Sequence, residues 1–491
     1  MPAAKPKTSR HTEVERKFDV VESTVSPSFE GLAVVSRVQR VPTETLEAVY
    51  YDTPDHDLAA RKITLRRRTG GPDEGWHLKL PAGPDARTEV RAPLADSVPD
   101  EVRDVVAAIV RDRPLAPVAR ITTQRTVSLL FGADDSPVAE FCDDQVTAAA
   151  LRPDSEPQAW REWEIELAEG ISSTTKDPGE VMDRLSNRLL DAGAAPAGHG
   201  SKLARVLATA EPATPAVQPS DPVRRAVAAN IEDLIAWDRA VRADAYDSVH
   251  QMRVSTRKIR SLLADESFGV AKDAWILDEL KLLAGILGVA RDAEVLAEKY
   301  ENALGELAPE LVRGRVRERL VDGARQRYAA GLRRALAAMR SERYFRLLDA
   351  LEDAVAAPSE TAGKSGAESA AASLAAAYKK VRRAADRAEE AGTDESLHRI
   401  RKRAKRLRYT ASAVGKSAVA EKAKAVQGLL GDHQDSVVSR THLLEEADAA
   451  HAAGEDTFTF GLLYQREVEI ALETEDEIGG ALKALKRAVR K

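Results

Sequence analysis

Hydrophobic and polar positions alternate in short runs from Thr12 to about Leu207, and Gly, Pro and Asp interrupt the runs. Ile63 to Arg68, Trp76 to Leu80 and Trp160 to Leu167 are examples. A period of two turns successive side chains to opposite faces, so these runs predict antiparallel strands. Between Ala208 and Pro222 the periodicity stops, and Pro212, Pro215, Pro219 and Pro222 stand among Ala, Thr and Ser, which predicts a linker. Beyond Val223 the apolar spacing becomes helical, in long segments rich in Ala, Leu, Arg and Glu with almost no proline. The chain thus reads as a tail over 1–11, a β domain over 12–207, a linker over 208–222 and an all-helical domain over 223–491.

A softer stretch, Ala357 to Ser373, divides the helical half into copies of about 223–356 and 374–491. His250, Arg253, Arg257, Lys258 and Arg260 recur at equal offsets as His398, Arg401, Lys405, Arg406 and Arg408. Leu287-Gly288 followed by Asp292 recurs as Leu430-Gly431 followed by Asp435. Equal internal spacing over such a distance marks a duplicated helical unit.

Composition narrows the class. A chain of 491 residues needs more than one core. With 43% hydrophobic and 31% charged residues it suits soluble domains, and no apolar run is long enough to span a bilayer. Met1 to His11 lacks the apolar centre and cleavage site of a signal peptide, so a disordered tail and a cytoplasmic location are expected. Cys142 is the sole cysteine, which excludes internal disulfides and cysteine-rich zinc sites. The net charge of -6 disfavours a polyanion partner only if charge is spread evenly, because an anion responds to the local field.

The distribution is uneven. Glu13, Glu15 and Lys17 share one strand face, as do Arg66 with Arg68, His77 with Lys79, Arg87 with Glu89 and Arg91, and Glu162 with Glu164 and Glu166. The opposite faces carry Leu65, Trp76, Leu78, Leu80, Val90, Trp163, Ile165 and Leu167. One charged strand face ordinarily meets water. Glutamate-rich strands at both ends of a domain with basic strands between them also suit a closed barrel whose lumen holds a metal and a triphosphate. Carboxylates bind a hard divalent cation, and Arg and Lys neutralise phosphate oxygens.

The run His11-Thr-Glu-Val-Glu-Arg-Lys17 resembles the Glu-x-Glu-x-Lys signature of the CYTH, or triphosphate tunnel metalloenzyme, superfamily. Tyr50-Tyr51-Asp52-Thr53, Leu65-Arg66-Arg67-Arg68, Leu78-Lys79-Leu80, Arg87-Thr-Glu89, Glu162-Trp-Glu164-Ile-Glu166-Leu167 and Ser201-Lys202 follow in the family's order. The resemblance implies an eight-stranded antiparallel tunnel that hydrolyses a triphosphate-containing anion with magnesium or manganese. It implies that Glu13, Glu15, Glu164 and Glu166 hold one or two ions. Lys17, Arg66, Arg68, Lys79, Arg87, Arg125 and Lys202 would then fix phosphates, with Lys17, Glu89 and Glu162 assisting catalysis. Asp143 and Asp144 both lie where the family has an acidic residue, and strand parity with Glu140 favours Asp144. Class IV adenylate cyclases and thiamine triphosphatases belong to the same superfamily, so the fold leaves the substrate open.

In the helical half, positions 0, +3, +7 and +10 fall within an arc of about 80 degrees. His250, Arg253, Arg257 and Arg260 therefore form one ridge, and His398, Arg401, Lys405 and Arg408 another. Val249, Met252, Ile259 and Leu263 lie on the far side of the first helix, and Leu397, Ile400 and Leu407 on that of the second. No acidic residue interrupts Arg253 to Arg260 or Arg399 to Arg408. Same-sign charges at this density repel unless a polyanion compensates them. The duplicated unit resembles the CHAD domain, which implies two pseudo-symmetric four-helix bundles whose basic helices line a groove for inorganic polyphosphate. Gln434 stands where Arg291 stands in the first copy, a departure from the pattern.

The expected function is metal-dependent hydrolysis of triphosphate or short polyphosphate, with the helical half tethering longer chains. A silent barrel on a granule-associated polyphosphate-binding protein is the alternative. Nucleic-acid binding ranks last, because the ridges offer only Tyr409 as a stacking platform.

Overall fold

The computed structural model describes residues 8–153, 155–171, 177–208, 222–264, 274–356 and 366–490. It divides into two compact units, Met1–Ala216 and Val217–Lys491.

The first unit contains β1 (Ser9–Val20), β2 (Arg37–Arg40), β3 (Glu44–Asp52), β4 (Thr64–Thr69), β5 (Gly75–Pro81), β6 (Ala86–Ala92), β7 (Ala116–Phe131), β8 (Pro137–Ala150), β9 (Gln158–Leu167) and β10 (Ala195–Pro196). The order β1-β6-β5-β4-β3-β7-β8-β9 closes on itself through a β1–β9 pairing, giving an eight-stranded antiparallel barrel. Strands β2 and β10 are short additions on β7 and β1. Closure depends on β1 changing partner midway: Ser9 to Val14 pair with β6, and Glu15 to Val20 with β9.

The alternation read from the sequence sorts the two faces. Phe18, Phe141, Trp163 and Ile165 point outward into a core covered by Val181, Met182, Leu185 and Leu189 of helix α1 (Pro178–Asp191). Facing inward on β8, Asp144 gives way to Val146 and Ala148, which pack against Leu203 and Val206 of helix α2 (Lys202–Ala208). One part of the inward face is thus apolar and the rest charged. Asp52 of the Tyr-Tyr-Asp-Thr motif is fully buried, and its oxygens accept from the backbone N–H groups of Thr53, Leu58 and Ala59 at 2.7, 2.9 and 2.9 Å. Its role is to hold the β3–β4 connection, since buried carboxylates need such donors.

The second unit is helical: α3 (Pro222–Arg242), α4 (Ser248–Leu263), α5 (Ala274–Gly305), α6 (Gly323–Met339) and α7 (Glu342–Ala356) in the first copy, then α8 (Gly366–Ala391), α9 (Asp394–Ala413), α10 (Ser417–Ala452) and α11 (Phe458–Arg490). Consecutive helices pack in each copy, and α7 returns against α3 and α5 as an element absent from the four-helix pattern of the second copy. Val381, Ile400, Leu407, Val426, Leu430 and Leu485 form the core of the second copy. Tyr300, Leu304 and Leu320 share a further core with Leu443, Phe460 and Leu463, so the copies are fused along one apolar seam. Among the described residues no helix is long and apolar enough to cross a membrane.

Three boundaries differ from the sequence reading. β1 begins at Ser9, because Ser9 to His11 already pair with Arg91 to Glu89, so residues 9–11 are strand rather than tail. Ala208 ends α2 and Pro222 opens α3, where a missing N–H has no consequence. Helix α8 begins at Gly366, inside the stretch read as soft, because its alanines favour helix. Residues 1–7, 209–221 and 357–365 lie outside the described residues.

Candidate functional site

Strand register brings the charged inward faces together. Glu13 stands opposite Arg87, Glu15 opposite Glu166 and Lys17 opposite Glu164. Lys79 stands opposite Glu89, Arg125 opposite Asp144, and Arg66 between Tyr50 and His77. A cavity of about 370 Å³ lies among them, lined by Glu13, Glu15, Lys17, Arg66, Arg68, Lys79, Arg87, Glu89, Arg125, Glu164, Glu166 and Lys202.

Two carboxylate clusters lie in the lumen, one wholly in the cavity wall and one that reaches it only through Glu164. Oxygens of Glu13, Glu15 and Glu166 lie within 4.8 Å of one another. Glu15 accepts from Lys17 Nζ at 2.6 Å, and Lys79 bonds Glu13. Burial opposes ionisation of Glu15, but Lys17 and Lys79 outweigh it and hold the carboxyl down at about 2. Among the described residues Glu166 has no such cation in contact, and burial together with Glu13 pushes it up to about 7. The second cluster is Asp144, Glu162 and Glu164, whose oxygens also converge within 4.8 Å. Lys202 Nζ sits among all three, at 2.8, 2.7 and 2.8 Å. Arg125 grips both oxygens of Asp144 at 2.8 and 2.6 Å and donates to Glu164 at 2.6 Å. Despite complete burial, Arg125 and Lys202 hold Asp144 below its ordinary range, and Lys17 with Lys202 and Arg125 does the same to Glu164. Hard oxygen donors without sulfur fit magnesium or manganese. The Glu13, Glu15, Glu166 set, whose three residues all line the cavity, fits such an ion best.

The basic wall lies on β4 and β5. Arg68 is driven down to about 9 by burial and by the neighbouring Arg66 and Arg125, even though it pairs with Asp73. The Nε atoms of Arg66 and Arg68 are buried and have no hydrogen-bond partner among the described residues. Crowded guanidinium groups with unsatisfied donors beside a cavity are suited to phosphate oxygens. Arg87 instead bonds the Gly200 carbonyl at 2.5 Å and approaches Glu15 at 3.3 Å. Glu89 is enclosed by His77 at 2.9 Å, His11 at 3.3 Å and Arg91. Glu162 is absent from the cavity wall, and its carboxylate is taken up by Lys202 and by Trp160 Nε1 at 2.5 Å.

In the second unit, α4 and α9 touch and turn their ridges toward one another. Burial and the charges of Arg257, Arg401, Arg253 and Arg408 drive Lys405 down to about 7. Arg257 is likewise brought down to about 10 by burial and Arg253. Arg253 donates to Asp292 at 3.1 Å, and Arg406 reaches the Ala264 carbonyl at the end of α4 at 3.4 Å. His250 and His398 are both lowered, by burial first, then by Arg291 on His250 and by Lys402 on His398. Lys258, Arg260 and Arg408 complete the half-buried basic surface, with Arg408 donating to Gln427 at 3.0 Å. The far sides behave as read: Val249, Met252, Ile259, Ile400 and Leu407 are buried.

Comparison with known proteins gives the same division. The CYTH domain matches residues 11–190 and the CHAD domain residues 225–444. The proteins MT2285 and Rv2226 of Mycobacterium tuberculosis, strains CDC 1551 and H37Rv and both described as uncharacterized, are each 60% identical over 518 aligned residues, covering 100% of this chain and 99% of theirs. The chain belongs to the family of proteins that join a CYTH domain to a CHAD domain. Among solved structures, the CHAD domain of the plant Ricinus communis aligns at 23% identity and TM-score 0.42 over 55% of this chain and 91% of its own. PH1819 from Pyrococcus horikoshii OT3 aligns at 17% identity and TM-score 0.26 over 40% of this chain and 99% of its own.

Within the CYTH domain, the structure separates the two aspartates left open by the sequence. Asp144 is inside the barrel, whereas Asp143 faces the other way and pairs with Arg161 at 2.8 and 2.6 Å. Sequence reasoning missed Tyr50 and Asp73 as cavity residues and gave His11 no role. Tyr50 and His11 share the strand parity of their charged neighbours, but Asp73 lies in the β4–β5 turn, where no periodicity applies. Within the CHAD domain, Gln434 occupies beside His398, as a hydrogen-bond partner, the place that Arg291 takes beside His250 as a charge.

Proposed function

We propose that the CYTH domain hydrolyses inorganic triphosphate or short polyphosphate and that the CHAD domain binds the longer chains. CYTH domains are triphosphate-tunnel metalloenzyme domains, which supports the reaction class. The observation that carries the substrate reading is the opposition, across one 370 Å³ cavity, of a convergent carboxylate trio and guanidinium groups with unsatisfied donors.

Glu13, Glu15 and Glu166 would hold the divalent ion, with Glu164 at its margin. A bound ion there supplies charge neutralisation and an activated water. Arg66 and Arg68 take up phosphate oxygens through their free Nε–H groups, and Lys79 and Lys17 neutralise the remaining charge. Arg125 and Lys202, in the same wall, hold Asp144 and Glu164 ionised and fixed in orientation. Glu89, kept ionised far below the ordinary carboxylate range by the His77 hydrogen bond and Lys79 despite its burial, orients Lys79 and the histidines around it. Glu162 orients Lys202. Phosphoryl transfer needs little covalent help from protein, so this positioning and charge compensation is the main contribution. In the CHAD domain, repulsion among Arg253, Arg257, Arg401 and Lys405 is relieved when a polyanion lies along both ridges.

The test is phosphate release from tripolyphosphate by the full-length protein with magnesium or manganese, beside Glu13→Ala/Glu15→Ala. Release that disappears in the double variant is the expected result. No release with either metal, with polyphosphate binding retained, would leave a binding protein with a silent barrel. Turnover of ATP or thiamine triphosphate in preference to tripolyphosphate would move the substrate to an organic triphosphate.

A further inference from the structure

The basic helix α9 is cationic on a second flank. Arg399 and Arg403 are each two residues from a ridge residue, which turns them about 200 degrees around the helix from Arg401 and Lys405. They face α8, where Lys380, Arg383 and Arg387 fall within an arc of about 60 degrees. These five residues line a trough of about 540 Å³ between the two helices. All five are exposed.

An ordinary solvated face would pair these charges with nearby carboxylates. Arg399 does so, with Glu395 at 3.1 Å. Lys380, Arg383, Arg387 and Arg403 have no ion pair among the described residues, and Glu390 is the single acid in the wall. Asp386 lies about 60 degrees from Arg383 around α8 yet pairs with none of these cations among the described residues, and Glu389 lies about 120 degrees or more from each of the three on α8. A row of unpaired cations on α8 faces unpaired Arg403 and paired Arg399 on α9, and with the helix axes about 8–10 Å apart they form a positive trench. Among the described residues Ala384 and Ala391 are the only apolar side chains lining it, and no aromatic residue does. A peptide finds no pocket for a hydrophobic anchor there, and a nucleic acid finds no surface for stacking bases. A linear polymer of phosphates needs neither.

We propose that the trench between α8 and α9 is a second groove for linear inorganic polyphosphate, engaged by chains long enough to pass from the α4–α9 ridges to the opposite flank of α9. The proposal rests on the polyphosphate reading given above for the CHAD domain. Its consequence is discrimination by length: a short chain fills the ridges alone, while a long chain gains a second, tethered contact.

The experiment titrates full-length protein with long-chain polyphosphate and with a short oligophosphate, across a range of salt. It compares wild type, Arg383→Gln/Arg387→Gln/Arg403→Gln, and the ridge variant Arg257→Gln/Lys405→Gln. The trench substitutions are exposed and keep good helix formers, and an unchanged melting temperature checks the fold. The trench variant is expected to lose long-chain affinity by about tenfold or more, with the slope of log affinity against log salt reduced by about 2. Its short-chain affinity should match wild type, whereas the ridge variant should weaken for both lengths. Unchanged long-chain affinity and slope in the trench variant overturn the second groove while leaving the ridge reading standing. Single-stranded RNA retention lost in the trench variant, with polyphosphate binding intact, overturns it in favour of a nucleic-acid surface. Failure of wild type to bind polyphosphate of any length overturns both readings.

Discussion

The guanidinium of Arg253 lies against the backbone of Gly288, where a Cβ would stand 3.2 Å from its Nη2 atom. Arg401 and Gly431 repeat the relation at 3.2 Å, so the duplicated Leu-Gly pair is the seat of a ridge arginine. A methyl group at position 288 would push the flexible arginine tip by a few tenths of an ångström. Gly288→Ala should therefore weaken polyphosphate binding by about two- to fivefold while raising helix stability by up to about 1 kcal/mol. Calorimetric titration beside a thermal melt checks both signs, and a variant that binds as wild type removes the glycine from the site.

Lys202 neutralises three buried carboxylates at once. Lys202→Met leaves Asp144 with Arg125, Glu164 with Arg125 and Lys17, and Glu162 with the Trp160 indole alone, and breaking a buried ion pair from one side typically costs about 3–5 kcal/mol. The melting temperature of the CYTH domain should fall, and millimolar magnesium or manganese should restore part of it by occupying the vacated position. A melt unchanged by the substitution would mean that the cluster is already relaxed without the lysine.

Arg68 is a strained cation, held down to about 9 by burial and by Arg66 and Arg125. Arg68→Gln should relieve that repulsion and leave the unliganded domain at least as stable. The same change should weaken tripolyphosphate by about tenfold or more, as expected for loss of a charge-assisted contact of about 1.5–3 kcal/mol. Differential scanning fluorimetry with and without tripolyphosphate separates the two effects.

Lys405 titrates near neutrality because burial and four arginines disfavour its charge. Its folded value of about 7 lies below the ordinary lysine value of 10.5, so between these pH values the unfolded chain binds the proton that the folded chain releases. Its contribution to stability is therefore largest above pH 10.5 and is lost as pH falls toward 7. A polyanion restores the charge, so binding at pH 8 should take up a proton and affinity should fall as pH rises through about 7. Lys405→Met should flatten that dependence. Titrations in buffers of different ionisation enthalpy measure the proton count directly.

Much of this was legible in the sequence. The parity of Glu13, Glu15 and Lys17, and of Glu162, Glu164 and Glu166, correctly placed their side chains on one face, because a strand has a single geometric period. The helical offsets did the same for the two ridges, and equal spacing revealed the duplication. What the sequence could not give was which lumen charges touch. Lys202 and Arg125 lie far apart along the chain from Glu164, and only the barrel register assigns them to the same carboxylate. Parity also overestimated Glu162, which shares a face with Glu164 but stands too deep to reach the cavity. The fifth helix of the first copy and the trench on the back of α9 were likewise invisible, since each depends on which helix packs beside which.

Strand β1 reaches β6 with its first half and β9 with its second, a pairing that joins Glu15 to Glu166 across most of the CYTH domain's length. A chain emerging from the ribosome therefore has the first carboxylates of the lumen trio long before it has the last. Nothing shorter than the completed barrel can assemble the carboxylate trio proposed to hold the ion, and a contact so distant in sequence closes slowly. Competence to bind the ion would appear late and all at once, making its uptake a natural reporter of when the final strand has docked.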